Sequence, residues 1–467
     1  MLIGIIIFAF LFLILALIRL DYALFFLIAA LPTYLIRFSV FQIPSTILEV
    51  MILITFAVWL FKNWLPYFRD LIQKRAIKIP YPFAWEIILL IIISFVSAGV
   101  ANFNLGALGI WKAYFFEPIL VFILVINIYR EKKDWQKILW ALLISAAGVS
   151  LLALWQKLTG QFIFNEFWAN EATRRVVSWF GYPNAVGLYL APLALIFIGW
   201  LFSLFRQNIF EKALTKILII LMVVSSVSAI YFARSEGALI GLAAGLFIFG
   251  LFAGRKQRIA TLLLSIVIIS GLFISTPAKN FVINKLTLQD LSGQIRQRQW
   301  KETFLTLTGT KFITGTGLNN YQAAVAPYHQ EGIFFNRDNL SNFDEQLRAS
   351  STLRTKYWQP VEIYLYPHNI FLNFWSEIGL FGALIFMWLI FKAIYISLKL
   401  TIAYNRENHP EKYLALGLMS ALIAILVHGL VDVPYFKNDL SVMFWIILAF
   451  IGLLSFNQKF GSKTIRN

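Results

Sequence analysis

The sequence contains no cysteine, only four histidines, and charged side chains at 13% of its 467 positions. Without cysteine there is no disulfide, no iron–sulfur cluster and no thiol nucleophile, whichever compartment the chain occupies. HExxH, CxxC and acidic clusters are all missing, so the pattern offers no metal site. The P-loop pattern GxxxxGK[ST] is missing too, which argues against ATP use. There is no internal repeat, no low-complexity tract and no soluble catalytic domain. What the chain has is apolar surface: 60% hydrophobic residues and a mean hydropathy of +0.74. No soluble domain hides that much, so the composition is that of a polytopic membrane protein.

A hydrocarbon core about 30 Å thick is crossed by roughly 20 residues of helix. Sustained apolar windows fall near 2–18, 22–36, 44–61, 86–103, 113–128, 136–155, 181–204, 214–233, 237–253, 259–275, 370–398, 413–431 and 440–456. In lipid they must be helical, because no water satisfies an unpaired backbone. The expected fold is therefore an all-α bundle of about 12–13 transmembrane helices. Leu2 to Ile18 has no basic flank before it and no small-residue cleavage site after it, and reads as a retained span.

The net charge of +17 would suggest nucleic acid in a soluble protein; in a membrane protein it marks cytoplasmic loops. Lys62, Arg69, Lys74, Arg75 and Lys78 share one connection, and Arg130, Lys132, Lys133 and Lys137 another. Arg206, Lys212 and Lys216 follow, then Arg255, Lys256 and Arg258, then Lys392, Lys399, Arg406 and Lys412, then Lys459, Lys463 and Arg466. Every second connection from the third window onward is basic, as the positive-inside rule requires. This places the C-terminus in the cytoplasm, with no nucleic-acid partner. Residues 276–366 break the pattern of short loops and face outward. Loops of that length are usually functional or folded, and LTLQDLSGQIRQRQWKETFLTL has a helical apolar pattern through Leu286, Leu288, Leu291, Ile295, Trp300, Phe304 and Leu307. The expected organisation is transmembrane helices over 1–275, the long extracytoplasmic loop over 276–366, and C-terminal helices with a cytoplasmic tail over 367–467.

Polar groups collect on the outward side. Arg174 and Arg175 precede the seventh window, Arg234 occupies the short turn between the eighth and ninth, Arg296 and Arg298 lie in the long loop, and His368 opens the eleventh window. Guanidinium forks match phosphate oxygens, and a histidine can take a proton from a hydroxyl. Together they suit chemistry on a diphosphate-bearing lipid; singly, each arginine reads as a headgroup contact and the histidine as a structural residue. His329 and His409 read as solvated. His428 and Asp432 are four apart near the outer end of one helix, where they could hydrogen-bond. Glu49, Glu86, Glu117 and Glu377 are scattered and do not line one span as a proton relay would.

Three stretches carry a likeness to a known family: RVVSWFGYPNAVGLYL, ARSEGALIGLAAG, and RQRQWKETFLTLTGTKFITGTGLNNY followed by PHNIFLNFWSEIGLFG. They resemble, in order, an Arg before Phe-Gly and Pro-Asn pairs, an Arg-Ser/Thr-x-Gly-Ala signature, and Arg-x-x-x-Trp, Gly-x-Gly and His-Asn-x-x-Leu elements. The chain resembles, over roughly 170–390, the O-antigen ligase and polymerase-type superfamily of polytopic bacterial glycan transferases. TGTKFITGTG lacks the proline that usually precedes that family's Gly-x-Gly.

The resemblance implies an inner-membrane enzyme. It moves a glycan from a polyprenyl-diphosphate carrier to a hydroxyl of a glycan, lipid or protein acceptor, with inversion and without metal or cofactor. By residue match, Arg175, Arg234 and Arg296 are candidates for holding the diphosphate and His368 for the general base, with Arg174, Arg298, Asn369 and Glu377 as possible supporting residues. Glu377 lies nine residues after His368, close to half a turn out of phase on an unbroken helix, so the two do not form a direct acid–base pair. Gly379 and Gly382 are expected to allow close helix approach. Ligase and polymerase remain open alternatives, and a lipid or glycan transporter without chemistry is the competing class.

Overall fold

The computed structural model describes residues 2–40, 43–72, 82–207 and 212–464; Lys74, Arg75, Lys78 and Arg466 lie outside the described residues. Each of the thirteen apolar windows is occupied by helix. In chain order these are α1 (Leu2–Ile18), α2 (Leu20–Ala29), α3 (Ile47–Ile72), α4 (Ala84–Val100), α5 (Leu105–Ile128), α6 (Trp135–Thr159), α7 (Pro183–Arg206), α8 (Ala213–Ala233), α9 (Glu236–Ala253) and α10 (Arg255–Ile274). The loop supplies α11 (Thr276–Leu286) and α12 (Leu291–Thr306), and the chain ends in α13 (Ile370–Arg406), α14 (Glu411–Gly429) and α15 (Asn438–Thr464). Among the described residues nine helices are long and apolar enough to cross a membrane, with three shorter apolar ones beside them. The protein is an all-α, multi-pass membrane protein.

Two details depart from the expected spans. The window 22–36 is not one helix: α2 has ten residues, about 15 Å at 1.5 Å per residue. It gives way to a 3₁₀ turn over Leu31–Leu35 that carries Pro32, which has no N–H to continue an α-helix. An antiparallel pair, β1 (Arg37–Val40) with β2 (Ile43–Thr46), then returns the chain to α3. The other departure is inside α13, where Gly379 has φ 78° and ψ 171° and breaks the helix after nine residues. A Cβ on Gly379 would lie 2.2 Å from the carbonyl oxygen of Ile313. The close approach expected at this glycine is thus made by the short loop helix Lys311–Thr314.

α7 packs along α14, and the apolar windows of both are 78% buried within the protein. The apolar window of α15 is 89% buried within the protein, whereas none of the window of α10 is; α10 therefore turns its leucines and isoleucines to lipid. Small residues bring α9 onto α14. Gly237, Gly241 and Gly245 recur every fourth position, and Cβ atoms there would meet His428 Cδ2 at 2.6 Å, Ala424 O at 2.8 Å and Ser420 O at 2.9 Å. Without a hydrophobic drive between helices in lipid, such close packing is what holds them together.

In the long loop, α12 buries a polar face in place of the apolar stripe read from its spacing. Gln299, Glu302, Thr303 and Thr306 are buried while Phe304 is 52% exposed. The cause is the polar partners on the loop side. Thr303 Oγ1 lies 2.8 Å from the Tyr321 hydroxyl, and Glu302 accepts from Arg298 Nε and from the Gln330 backbone. His329, expected to be solvated, is part of this cluster: its Nδ1 is 3.2 Å from Glu302 Oε2 and its Nε2 3.0 Å from Val361 O. A short pair, β3 (Gly332–Phe334) with β4 (Trp358–Pro360), closes the loop.

Candidate functional site

The turn from α8 to α9 is only Arg234 and Ser235. Arg234 sits in the left-handed region, φ 51°, at the C-cap of α8, a conformation that costs a non-glycine residue about 1–2 kcal/mol. It leaves the side chain exposed while Ser235 is buried. Arg175 reaches this turn from the segment before α7. Its Nε donates to Ala233 O at 3.0 Å and its Nη2 to Arg234 O at 3.3 Å, so it satisfies carbonyls at the negative end of the α8 dipole. The same Nη2 donates to Asn184 Oδ1 at 3.3 Å. Arg296 arrives on α12, donating Nε–H to Val431 O at 2.8 Å and Nη1–H to Ser292 Oγ at 2.8 Å.

These three arginines, from three separate parts of the chain, line one cleft of about 470 Å³. Asn184, Glu236, Lys285, Asp290, His428 and Asp432 share the wall, with Phe167, Ile240 and Leu288 as an apolar rim. Burial and the neighbouring Arg234 charge both work against the Arg175 charge, and Glu236 offsets part of that. Arg174 turns away, donating to Lys157 O at 2.9 Å and Ala169 O at 3.3 Å. Arg298 is tied to Glu302 at 3.0 Å. Neither lines the cleft.

His368 is not among the residues lining the cleft. It is half-buried, with φ 46°, and α12 holds its backbone and its ring at adjacent positions. Trp300 Nε1 donates to Pro367 O at 2.9 Å, and Gln299 Oε1 lies 3.0 Å from His368 Nδ1. The rings of Tyr364 and Tyr366 meet the imidazole edge-on at 5.0 and 5.1 Å. Burial lowers the pKa of His368 below its ordinary value; Asp432 pushes it up and Arg296 pushes it down. The charges of the cleft therefore reach the imidazole. Asn369 caps α13, accepting from Leu372 N at 3.0 Å, and donates to Leu430 O at 3.1 Å. Glu377 is buried and accepts from Asn319 N at 2.8 Å, away from the cleft.

His428 and Asp432 do not form the hydrogen bond expected from their spacing. α14 ends at Gly429, and His428 Nε2 stands 3.9 Å from Asp432 Oδ2. Asp432 accepts instead from Asn184 Nδ2 at 3.1 Å, which chains it to Arg175. Asn184, Lys285, Glu236 and Asp290 were not singled out by sequence reasoning. Asn184 sits in the Pro-Asn pair of the first motif and was the most readable of them.

The fold is an all-helical, multi-pass bundle whose cleft gathers three arginines and a lysine with three carboxylates. Residues 220–387 match the model of the O-antigen ligase family. This stretch, which holds Arg234, Arg296 and His368, is thus similar to the O-antigen ligase family. The curated proteins contain no match to the chain.

Proposed function

We propose that the protein transfers an oligo- or polysaccharide from a polyprenyl-diphosphate carrier to an acceptor hydroxyl. The observation that carries this reading is the convergence of Arg175, Arg234 and Arg296 on one cleft, with His368 within electrostatic reach of Arg296 and Asp432. The arginines bind the diphosphate and hold its growing charge as the glycosidic C–O bond breaks, a preorganised electrostatic role. His368 takes the proton of the acceptor hydroxyl through Nε2 while the oxygen attacks the anomeric carbon from the opposite face, and the lipid diphosphate leaves. Such a base contributes about 10²–10⁴-fold. The rim of Phe167, Ile240 and Leu288 suits the first units of a polyprenyl tail. The alternation of basic loops supports an extracytoplasmic cleft and a cytoplasmic C-terminus.

The test is incubation of the purified protein with lipid-linked glycan and a candidate acceptor. His368→Ala is expected to abolish release of the lipid diphosphate while donor binding persists, and Arg234→Ala to lose donor binding. Full turnover by either variant overturns the assignment of that residue. A single mobility shift of the acceptor identifies a ligase, and a ladder on the carrier identifies a polymerase. Passage of intact donor across a bilayer without bond cleavage would identify a transporter instead.

A further inference from the structure

The cleft holds a fourth cation that the arginine motifs do not include. Lys285, one residue from the end of α11, places Nζ 2.6 Å from Glu236 Oε2 and 2.8 Å from Asp290 Oδ2. All three line the same cleft as Arg175, Arg234 and Arg296. They also come from three elements: Glu236 opens α9, Lys285 lies in the last turn of α11 and Asp290 is the N-cap of α12. A carboxylate among arginines is an obstacle to an anionic ligand unless a cation neutralises it, and here Lys285 does so.

We propose that Lys285 is a diphosphate-binding residue held in reserve by Glu236, and that arrival of the anion draws its ammonium from Glu236 onto phosphate. This rests on the cleft being the diphosphate site. Three features support the exchange. Glu236 is 53% exposed at its side chain and Lys285 25%, and ion pairs that open to water are weakly held. A diphosphate carries more charge than a carboxylate. The ammonium is a point charge on a flexible four-carbon stem, able to swing between acceptors as an arginine fork is not. Asp290, with a less exposed side chain than Glu236, serves as the pivot that keeps Lys285 in the cleft during the exchange. A static tie between α9 and α11 is the alternative, and the two differ in what removing Glu236 does.

The experiment titrates the full-length protein in detergent with farnesyl diphosphate, a carrier-like probe without sugar, by calorimetry. The parent chain is expected to bind and Arg234→Ala to bind at least tenfold more weakly. Lys285→Met should weaken binding by about tenfold, the value of one charge-assisted hydrogen bond, and Lys285→Arg should retain most of it. Glu236→Gln should tighten binding several-fold, and that gain should shrink when combined with Lys285→Met, because only the removal of a carboxylate charge then remains. An undiminished gain in the double variant means simple charge removal and overturns the exchange. Parent-like binding by Lys285→Met, with Arg234→Ala still defective, overturns it while leaving the anion site intact. No saturable binding by the parent chain overturns both.

Discussion

Nδ1 of His368 lies 3.0 Å from Oε1 of Gln299. An amide oxygen only accepts, so this pairing puts the imidazole proton on Nδ1 and leaves the Nε2 lone pair free for an acceptor hydroxyl. On the proposed mechanism Gln299 positions the histidine, and it is itself buried. Gln299→Leu should lower kcat by about tenfold or more, the loss of one buried hydrogen bond, with little change in donor KM. Gln299→Glu places a carboxylate at the same distance and should raise the His368 pKa. The acid limb of the pH–rate profile then moves to higher pH, a shift that a merely structural role would not produce.

The pH dependence of the parent follows from the same ring. Burial holds the pKa of His368 below its ordinary value, so the neutral, proton-accepting form persists at neutrality. Activity should fall only as the pH drops through that lowered value, below about 6.5. The folded chain also binds this proton less tightly than the unfolded chain does. The stability it contributes is full above about 6.5 and is lost as the pH falls toward the folded value. Asp432 is the group pushing the pKa up. Asp432→Asn should therefore move the acid limb of the profile further down, and an upward or absent shift would remove Asp432 from the electrostatics of the site.

Arg174 and Arg175 are adjacent in sequence and opposite in circumstance. Arg175→Ala removes a cleft cation and uncaps the α8 carbonyls at Ala233 and Arg234; Arg174→Ala removes bonds to Lys157 and Ala169 only. Donor KM should rise at least tenfold in the first and stay within about twofold in the second. Arg175→Lys should recover part of the donor affinity but not the melting temperature, because lysine has no fork to span two carbonyls. Equal KM values in the two alanine variants would count against the cleft as the donor site.

The spans were readable because lipid allows so few alternatives: an apolar run of the right length must be helix. Arg175, Arg234 and Arg296 were readable as a group because each stands in a motif on one side of the membrane. Two features resisted. The polar face that α12 buries was invisible, since Gln299, Glu302 and Thr303 meet partners such as Tyr321 and His329 far along the chain. The mixed charge of the cleft was equally hidden. Glu236, Lys285 and Asp290 look like ordinary solvated residues until α9, α11 and α12 bring them together.

Gly379 ties this loop to the segment that carries His368. At φ 78° with a Cβ position 2.2 Å from Ile313 O, Gly379→Ala combines backbone strain with a clash against main chain, which together cost about 2–4 kcal/mol. Gly382 offers the comparison: the atoms nearest a Cβ there belong to the Ile378 side chain, with its Cδ1 at 2.4 Å, and no main-chain atom is among them. Thermal unfolding in detergent should show a clearly larger loss for Gly379→Ala than for Gly382→Ala. The displaced break would also pull Ser376 from Thr316, whose backbone N–H now donates to Ser376 O at 2.6 Å, and Glu377 from Asn319. Limited proteolysis should then cut the 310–320 region faster in Gly379→Ala. If the two variants melt alike and the loop keeps its resistance, the break at Gly379 does not hold the loop against the bundle.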